Sequence, residues 1–240
     1  RYVRGNIHLT KVDSEYPDNK LTGATFEVYK DSNANGKMDD GDELLGTLTE
    51  KEKGEYSMND LFYGRYFVKE TKAPEGFVLD TGVYEVMIDT NGKTYEVENK
   101  AGVGFINDAM RGNLKIVKTS SDGKVKGFAF RITGANGYDI ILETNDKGEI
   151  FIDELRIGDY TISEVSNSAS SMYVLPADKK ATVKLGSTTI VEMHNVLRDT
   201  PKTGDTTNLP LLYALAGLSA VGIAVCGVIG FKKKKKEDRN

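Results

Sequence analysis

The chain repeats itself, and this internal repeat restricts the folds that it can adopt. The segment RGNIHLTK at residues 4–11 aligns with RGNLKIVK at residues 111–118. Further along, DLFYGRYFVKE at residues 60–70 aligns with ELRIGDYTISE at residues 154–164. Each copy is about 100 residues long, which is the size of an ordinary domain. The repeat therefore predicts two similar domains in tandem.

Both copies alternate apolar and polar residues with the period of a β-strand. Short runs such as TFEVYK, GRYFVKE, VYEVMI, GDYTISE and TTIVEMHN are separated by Gly, Asn and Asp turns, and no long helical period occurs before residue 209. Strands at this spacing are typical of an antiparallel β-sandwich. We assign the first sandwich to residues 1–110 and the second to residues 111–198.

In each copy, three apolar strand faces end on a polar residue. Ile7 and Leu9, for example, share a face with the residue that follows them in the alternation, which is Lys11. The polar residues are Lys11, Glu70 and Asn107 in the first copy, and Lys118, Glu164 and Asn195 in the second. One interpretation is that they are strand-end side chains whose heads reach solvent. The other is that they are buried together, which costs several kcal/mol unless they are paired or neutral.

If the Lys, Glu and Asn of a copy are buried together, they are expected to react with one another. Burial lowers the pKa of a Lys amine towards its nucleophilic form and raises that of a Glu, which stays protonated. Such a Glu can donate to the Asn carboxamide oxygen and pass the proton on to departing ammonia. The product is an isopeptide bond between the first and last strands of a domain. Asn99 is a second candidate acceptor in the first copy, and we favour Asn107 because it lies just before the next domain.

The first copy resembles the B-type repeat of collagen adhesins, also called the prealbumin-like domain of Gram-positive pilins. The matching segments are GNIHLTKVD, LTGATF and YFVKETKAPEGF, and the resemblance covers residues 5–108 well and residues 112–197 less well. It implies an all-β, prealbumin-like or Ig-like sandwich in which the first-strand Lys bonds to a last-strand Asn and the Glu is the proton shuttle. In the second copy, residues 165–168 (VSNS) replace the Thr-Lys-Ala-Pro of the pattern.

The C-terminal part predicts a membrane anchor. Residues 209–231 form an uncharged apolar run long enough to cross the hydrocarbon core as a helix. Five consecutive Lys residues follow in the tail, residues 232–240, and by the positive-inside rule this tail is cytoplasmic. A buried core helix would be shorter and would not end on such a run. Residues 1–208 are therefore expected outside the cell.

A short motif in the linker, residues 199–208, precedes the predicted span. Its residues are Thr200, Pro201, Lys202, Thr203 and Gly204. Together with the span and the Lys tail, it resembles a Gram-positive cell-wall sorting signal, although Thr200 stands where the usual motif has Leu. The resemblance implies that a sortase cuts after Thr203 and joins that residue to a peptidoglycan amine.

A polar loop in the first copy resembles a calcium-binding loop. Its candidate oxygen ligands are Asp31, Asn33, Asn35, Asp39 and Asp42. Gly36 stands at the sharp turn, but the twelfth position is Asp instead of the bidentate Glu and the flanks are strands. A polar hairpin loop with an Asn-Gly turn is the other interpretation. His8 and His194 lie on outward faces with no Cys nearby, so zinc is not expected.

Charge and motif content exclude several functions. The net charge is −4 although the tail is strongly basic, and such an acidic body is unsuited to nucleic acid. No phosphate loop or Ser-His-Asp arrangement is readable, so we do not expect an enzyme, and no cofactor other than calcium is considered. The one Cys, Cys226, lies in the predicted span, so the outer part has no disulfide.

The function predicted from the sequence is mechanical. We expect a stalk, anchored in the cell wall of a Gram-positive bacterium by sortase and peptidoglycan, that presents an adhesive region N-terminal to Arg1. One alternative is a polymerising pilin shaft subunit that binds other pilin subunits, since KETKAPEGF resembles the acidic box of pilins. Another is an adhesin module that binds a host surface ligand.

Overall fold

The computed structural model describes residues 2–198 of the chain. The predicted sorting motif, membrane span and Lys tail lie outside these residues. Within residues 2–198, no helix is long and apolar enough to cross a membrane. The described part divides into two compact units, with the boundary between Gly112 and Asn113. Apart from one 3-10 turn at Ala135–Gly137, the regular structure of the described part is β-strand.

The first domain is a sandwich of two sheets. Its strands are β1 Arg4–Asp13, β2 Thr25–Lys30, β3 Glu43–Thr47, β4 Thr49–Glu52, β5 Glu55–Phe62, β6 Gly64–Lys72, β7 Val83–Ile88, β8 Thr94–Glu96 and β9 Phe105–Asn107. One sheet has the order β4-β5-β1-β8, with β9 also paired to β1. The facing sheet has the order β3-β2-β6-β7.

The second domain repeats this arrangement. Its strands are β10 Arg111–Ser120, β11 Ala129–Thr133, β12 Asp139–Glu143, β13 Glu149–Arg156, β14 Gly158–Val165, β15 Tyr173–Val174, β16 Lys179–Val183 and β17 Thr188–Leu197. The sheets have the orders β13-β10-β17-β15 and β12-β11-β14-β16. Here the last strand, β17, is continuous, whereas the first domain splits it into β8 and β9.

The expectation of purely antiparallel sheets is wrong at one place in each domain. The first strand pairs in parallel with the last: β1 with β8 and β9, and β10 with β17. A parallel pair needs a long crossover connection. Here the remainder of the domain supplies it, so strands at opposite ends of the sequence lie side by side.

The cores follow the alternation of the sequence. In β1 the burial pattern alternates from Arg4 to Lys11, with Ile7 and Leu9 fully buried. The main core side chains of the first domain are Ile7, Leu9, Phe26, Val28, Tyr56, Tyr66, Val68, Ile88 and Phe105. Those of the second are Leu114, Ile116, Phe128, Phe130, Ile132, Tyr160, Ile162, Val183 and Met193.

The repeated Gly-Asn pair at the start of each copy has a structural role. The side-chain oxygen of Asn6 accepts the backbone N–H of Asp60 at 3.0 Å, and Asp60 has a positive φ of 61°. In the second domain Asn113 accepts the N–H of Glu154 at 3.2 Å, and Glu154 has a φ of 52°. Positive φ is uncommon outside Gly. Asp60 lies within β5, where the pairing with β1 shifts register between Gly5 and Ile7, and Glu154 lies at the corresponding place within β13. In each domain the Asn side chain thus holds an irregular position inside a strand, which in the first domain is a β-bulge.

Candidate functional site

Each domain buries a Lys, a Glu and an Asn of the predicted set. None of the six residues exposes more than 8% of its surface, and Lys11, Glu70 and Asn195 expose none. The interpretation of these residues as strand-end groups reaching solvent is therefore wrong. Because they lie on the inward faces that the alternation predicts, each set is enclosed between the two sheets of its domain.

The parallel pairing of first and last strands brings Lys and Asn together. On β1 and β9, Lys11 faces Phe105 and Asp13 faces Asn107. Residues two positions apart on a strand share a face, so Lys11 and Asn107 both point inward from adjacent strands. The second domain has the same register, with Lys118 facing Met193 and Ser120 facing Asn195.

The Glu reaches this pair from the opposite sheet. Glu70, on β6, accepts a hydrogen bond at Oε2 from Nδ2 of Asn107 at 2.8 Å. The same oxygen accepts the backbone N–H of Asp80 at 2.8 Å. In the second domain Glu164 Oε1 accepts Nδ2 of Asn195 at 2.7 Å. Acid and amide are thus in direct contact in both domains.

The orientation of the amide differs from the sequence-based expectation, in which Glu donates to the carboxamide oxygen. Nδ2 of Asn107 also donates to the carbonyl of Val78, and this second acceptor turns the nitrogen towards Glu70. The acid therefore lies beside the nitrogen that would leave as ammonia.

This orientation leaves four buried atoms without hydrogen bonds. They are Oε1 of Glu70, Oδ1 of Asn107, Oε2 of Glu164 and Oδ1 of Asn195. Among residues 2–198, the fifth buried side-chain atom without a hydrogen bond is Nε of Arg65, which lies 3.0 Å from Oε1 of Glu85 in an ion pair. Unsatisfied buried polar atoms are uncommon in native proteins and call for an explanation. Because they occur at the same two residue types in both domains, these two sets are the candidate functional sites.

The Lys amines lie among apolar rings and backbone carbonyls. Nζ of Lys11 donates to the carbonyl of Phe105 at 3.0 Å and lies 5.5 Å from the centre of the Phe105 ring. Nζ of Lys118 donates to the carbonyl of Thr119 and lies 4.2 Å from the centre of the Phe128 ring. The carbonyls and rings favour a positive charge, but the enclosure removes the water that would otherwise solvate it.

The pKa shifts follow from this burial. Desolvation lowers the pKa of Lys11 to about 8, against the opposing effect of the negative charges of Glu70, Asp80 and Asp13. Desolvation also raises the pKa of Glu70, although hydrogen bonds from Asn107 and Asp80 and the charge of Lys11 oppose it.

Burial acts in the same directions in the second domain. It lowers the pKa of Lys118 against the charges of Glu164 and Asp122. It raises the pKa of Glu164 against the hydrogen bond from Asn195 and the charge of Lys118. In both domains the neutral forms of amine and acid become accessible together, which is the pairing that acyl transfer from an amide to an amine needs.

The second candidate acceptor, Asn99, has a different environment. It lies half-buried in the segment between β8 and β9. Its Nδ2 donates to Asp80 Oδ2 and to the carbonyl of Ile106, both at 2.8 Å, and its Oδ1 accepts the N–H of Ile106 at 2.6 Å. Asn107, not Asn99, is therefore the amide that contacts Glu70.

The candidate calcium loop forms the β2–β3 hairpin connection. Its candidate ligands are hydrogen-bonded to other groups of the same loop. Asp31 accepts backbone N–H groups from Asn35 and Gly36 at 3.1 Å each, and Arg65 Nη1 lies 3.6 Å from its carboxylate. Nδ2 of Asn35 donates to Asp39 at 2.5 Å. The remaining candidates are also occupied, since Asn33 donates to Asp39 and Asp42 accepts the N–H groups of Ser32 and Asp39.

Neither His belongs to a metal cluster. The ring of His8 lies between Glu55 and Glu96, at 2.9 and 2.6 Å, so it is half-buried rather than simply solvated. His194 bonds to Oγ1 of Thr119 at 2.8 Å on an exposed face. In the part of the chain that the structure describes, no three His, Cys, Asp or Glu side chains are grouped so as to hold a metal ion.

The sequence interpretation missed Asp80 and Val78, which complete the site of the first domain. Both lie in the connection between β6 and β7, where no strand alternation indicates which side chains point inward. Val78 contributes a backbone carbonyl, which has no signal in the sequence. Asp80 could have been suspected only as a lone acidic residue between apolar segments.

The chain belongs to the SpaA family of prealbumin-like fold domains. The family's model matches residues 5–101 and again residues 112–196, which together make up more than half of the chain. The prediction of two tandem, all-β, prealbumin-like domains is confirmed.

The chain is similar to several known proteins. The chain is 28% identical over 184 residues to the trypsin-resistant surface T6 protein of Streptococcus pyogenes serotype M6, covering 75% of this chain and 30% of that protein. The structure of the Bacillus anthracis TIE protein has a TM-score of 0.60 at 24% identity, covering 82% of this chain and 34% of that one. GBS52, the minor pilin of Streptococcus agalactiae, has a TM-score of 0.38 at 18% identity, with 84% and 99% covered. The chain thus spans about a third of the length of the first two.

Proposed function

We propose that each domain closes an isopeptide bond within itself, Lys11 to Asn107 in the first and Lys118 to Asn195 in the second. The observation that carries the proposal is the burial of Lys, Glu and Asn in one enclosed set, repeated with the same strand register in both domains. Burying three such polar groups is costly for a fold that uses them only for packing. A reaction that consumes the amine removes part of that cost.

The reaction balances without a cofactor. The neutral amine of Lys11 attacks Cγ of Asn107, so the Nζ–Cγ bond forms and the Cγ–Nδ2 bond breaks. One proton moves from Nζ through the carboxyl group of Glu70 to Nδ2, which departs as ammonia. Glu70 suits this role because it contacts Nδ2 at 2.8 Å and its pKa is raised. The hydrogen bond between Glu70 and Asn107, and the position of Lys11 diagonally across from Asn107 on the adjacent strand, supply the proximity that such an exchange needs.

The cell-level role that fits these bonds is that of a covalently stiffened, pilin-type stalk on a Gram-positive surface. The family match and the similarity to a streptococcal surface protein support this role. We further propose that sortase joins Thr203 to peptidoglycan and that the uncharged run at residues 209–231 holds the precursor in the membrane until then. The sequence resemblance to a sorting signal supports that step.

The mass of the complete 240-residue chain tests the cross-links. We expect the wild type to be lighter than its sequence by two ammonia molecules, and Lys11→Ala and Lys118→Ala by one each. Lys115→Ala is the matched control, since Lys115 is on the same strand as Lys118 but pairs with Glu149 at the surface, and it should keep both losses. A wild type of full sequence mass would overturn the proposal.

Wall attachment is tested separately. The chain is produced in a sortase-bearing Gram-positive host and released with an enzyme that digests peptidoglycan. We expect its last peptide to end at Thr203 and to carry a fragment of the wall. Recovery of peptides from beyond Gly204 in wall-released protein would contradict the sorting step and leave the cross-links unaffected.

A further inference from the structure

We propose that Asp80 is a positioning residue for the cross-link of the first domain, acting on Glu70 and on Asn107 at once, and that the second domain works without such a residue. This inference rests on the proposed function. Asp80 lies half-buried in the β6–β7 connection, outside the strands that carry the three reacting groups.

The backbone of Asp80 fixes the acid. Its N–H donates to Oε2 of Glu70 at 2.8 Å, and Oε2 is also the oxygen that accepts Nδ2 of Asn107. An oxygen held by two donors has little freedom to rotate away. The position of Asp80 therefore keeps the carboxyl group of Glu70 turned towards the leaving nitrogen.

The side chain of Asp80 is itself held by three donors. Oδ1 accepts the N–H of Gly82 at 2.6 Å, and Oδ2 accepts the hydroxyl of Tyr84 at 2.9 Å and Nδ2 of Asn99 at 2.8 Å. Burial alone would raise the pKa of Asp80, but these hydrogen bonds and the charge of Lys11 outweigh it and lower the pKa. Asp80 is thus an ionised, fixed group.

Through Asn99 and Tyr84, Asp80 also positions the acceptor strand. Asn99 bonds to both the N–H and the carbonyl of Ile106, the residue directly before Asn107. The ring of Tyr84 packs edge-on against Phe105 with the ring centres 5.0 Å apart, and Phe105 supplies the carbonyl that binds Nζ of Lys11. The carboxylate of Asp80 therefore holds two residues, Tyr84 and Asn99, that contact β9 at Phe105 and Ile106.

The charge of Asp80 sets the protonation of the same groups. The ionisable groups acting on Lys11 are Glu70, Asp80 and Asp13, and those acting on Glu70 are Lys11 and Asp80. The negative charge of Asp80 raises the pKa of both Lys11 and Glu70. Removing this charge while keeping the shape of the side chain should lower both values.

The second domain lacks this support. Among residues 2–198, Glu164 accepts one hydrogen bond, from Asn195 at Oε1, and its Oε2 accepts none. The acidic groups near Lys118 are Glu164 and Asp122. Asp122 accepts the hydroxyl of Tyr173 at 2.6 Å and is not bonded to the acid, so its placement differs from that of Asp80. The second domain is therefore an internal control within the same molecule.

The test is the Asp80→Asn variant of the full chain. Freshly synthesised chain is sampled over time after release, quenched in denaturant and digested, and the cross-linked peptides of the two domains are quantified from pH 5 to pH 10. We expect the bond of the first domain to form about tenfold more slowly, in keeping with lost positioning. Both limbs of its pH–rate profile should move to lower pH because both pKa values fall. The bond of the second domain should keep its rate and its profile.

Two further variants complete the test: one is a control for the loss of a carboxylate, and the other keeps the charge of Asp80 but removes a contact that it supports. Asp89→Asn removes a carboxylate of the same domain that accepts a Tyr hydroxyl, from Tyr95 at 2.6 Å, and it should change nothing. Asn99→Ala keeps the charge of Asp80 but releases Ile106, so it should slow the reaction without moving the pH profile. It also provides a test of positioning if Asp80→Asn does not fold.

The outcomes distinguish this inference from the proposed function. A first domain that never loses ammonia in the wild type would refute the cross-link itself. If the wild type cross-links and Asp80→Asn has the same rate and profile, the role of Asp80 is refuted and the cross-link stands. Slower formation in Asp80→Asn with an unmoved profile would refute the effect of the Asp80 charge on the pKa values of Lys11 and Glu70, because a purely structural role would give that result.

Discussion

Asn107 lies on the strand parallel to that of Lys11, two positions beyond the residue that Lys11 faces. A parallel pairing of first and last strands is the arrangement in which a single side-chain bond can join the two ends of a domain directly. In the second domain the offset is the same although its last strand is continuous. The register, more than the identity of any neighbouring residue, is the common feature of the two sites.

Preventing the bond between Lys11 and Asn107 should lower the stability of the first domain, because the unfolded chain is then no longer closed into a loop. In Lys11→Met a side chain of similar size replaces the amine, which limits the cavity that remains. By analogy with disulfides that close loops of roughly 100 residues, we expect the free energy of unfolding of the first domain to fall by about 4–5 kcal/mol. Guanidinium unfolding, with Lys118→Met as the counterpart in the second domain, checks this value. An unchanged unfolding curve would contradict a closed loop.

A chain that keeps Lys11 but cannot react should become more stable as the pH rises. In Glu70→Gln the amine stays free, and its folded-state pKa of about 8 or lower is below the ordinary 10.5. Between these pH values the unfolded chain binds more protons than the folded chain. The free energy of unfolding therefore rises with pH, by up to about 1.4 kcal/mol per pH unit. Unfolding at pH 8, 9 and 10 measures the slope, and the Glu70→Gln/Lys11→Met double variant subtracts the contribution of other groups. Equal slopes in the two variants would argue against a depressed pKa.

The repeated Gly-Asn motif should affect stability independently of the cross-links. Asn6→Ala removes the acceptor for the N–H of Asp60, and we expect a loss of about 1 kcal/mol, the usual value of a solvent-accessible hydrogen bond. Asn113→Ala should cost a similar amount in the second domain. Asn59→Ala, at a neighbouring exposed position, is the control and should stay within about 0.5 kcal/mol. Equal effects of Asn6→Ala and Asn59→Ala would show that the contact is dispensable.

Removing divalent cations should not change the melting temperature of the first domain. The carboxylate of Asp31 already accepts two backbone N–H groups and lies near Arg65, whose charge opposes a cation. Thermal unfolding in EDTA and in millimolar calcium chloride measures the effect, with the second domain as reference. A rise in melting temperature with calcium, confined to the first domain, would instead support the calcium-loop interpretation.

Much of the site could be predicted because strand alternation fixes which side chains point inward. The buried faces that end on Lys11, Glu70 and Asn107 follow directly from that period. The parallel pairing of β1 with β9 could not be predicted, because alternation says nothing of strand direction. Asp80 was missed for a related reason: its contacts depend on the course of a connection that has no period.

Once a bond joins Lys11 to Asn107, a pulling force has a short route through the domain. It enters along β1 from Arg4 to Lys11, crosses the bond and leaves after Asn107, and the 95 residues between the two anchors carry none of it. The entry segment has the same length in the second domain, Arg111 to Lys118, whereas the bypassed segments differ in length. Loops and surfaces in those segments can therefore vary in sequence and length without making the cross-linked domain any more extensible.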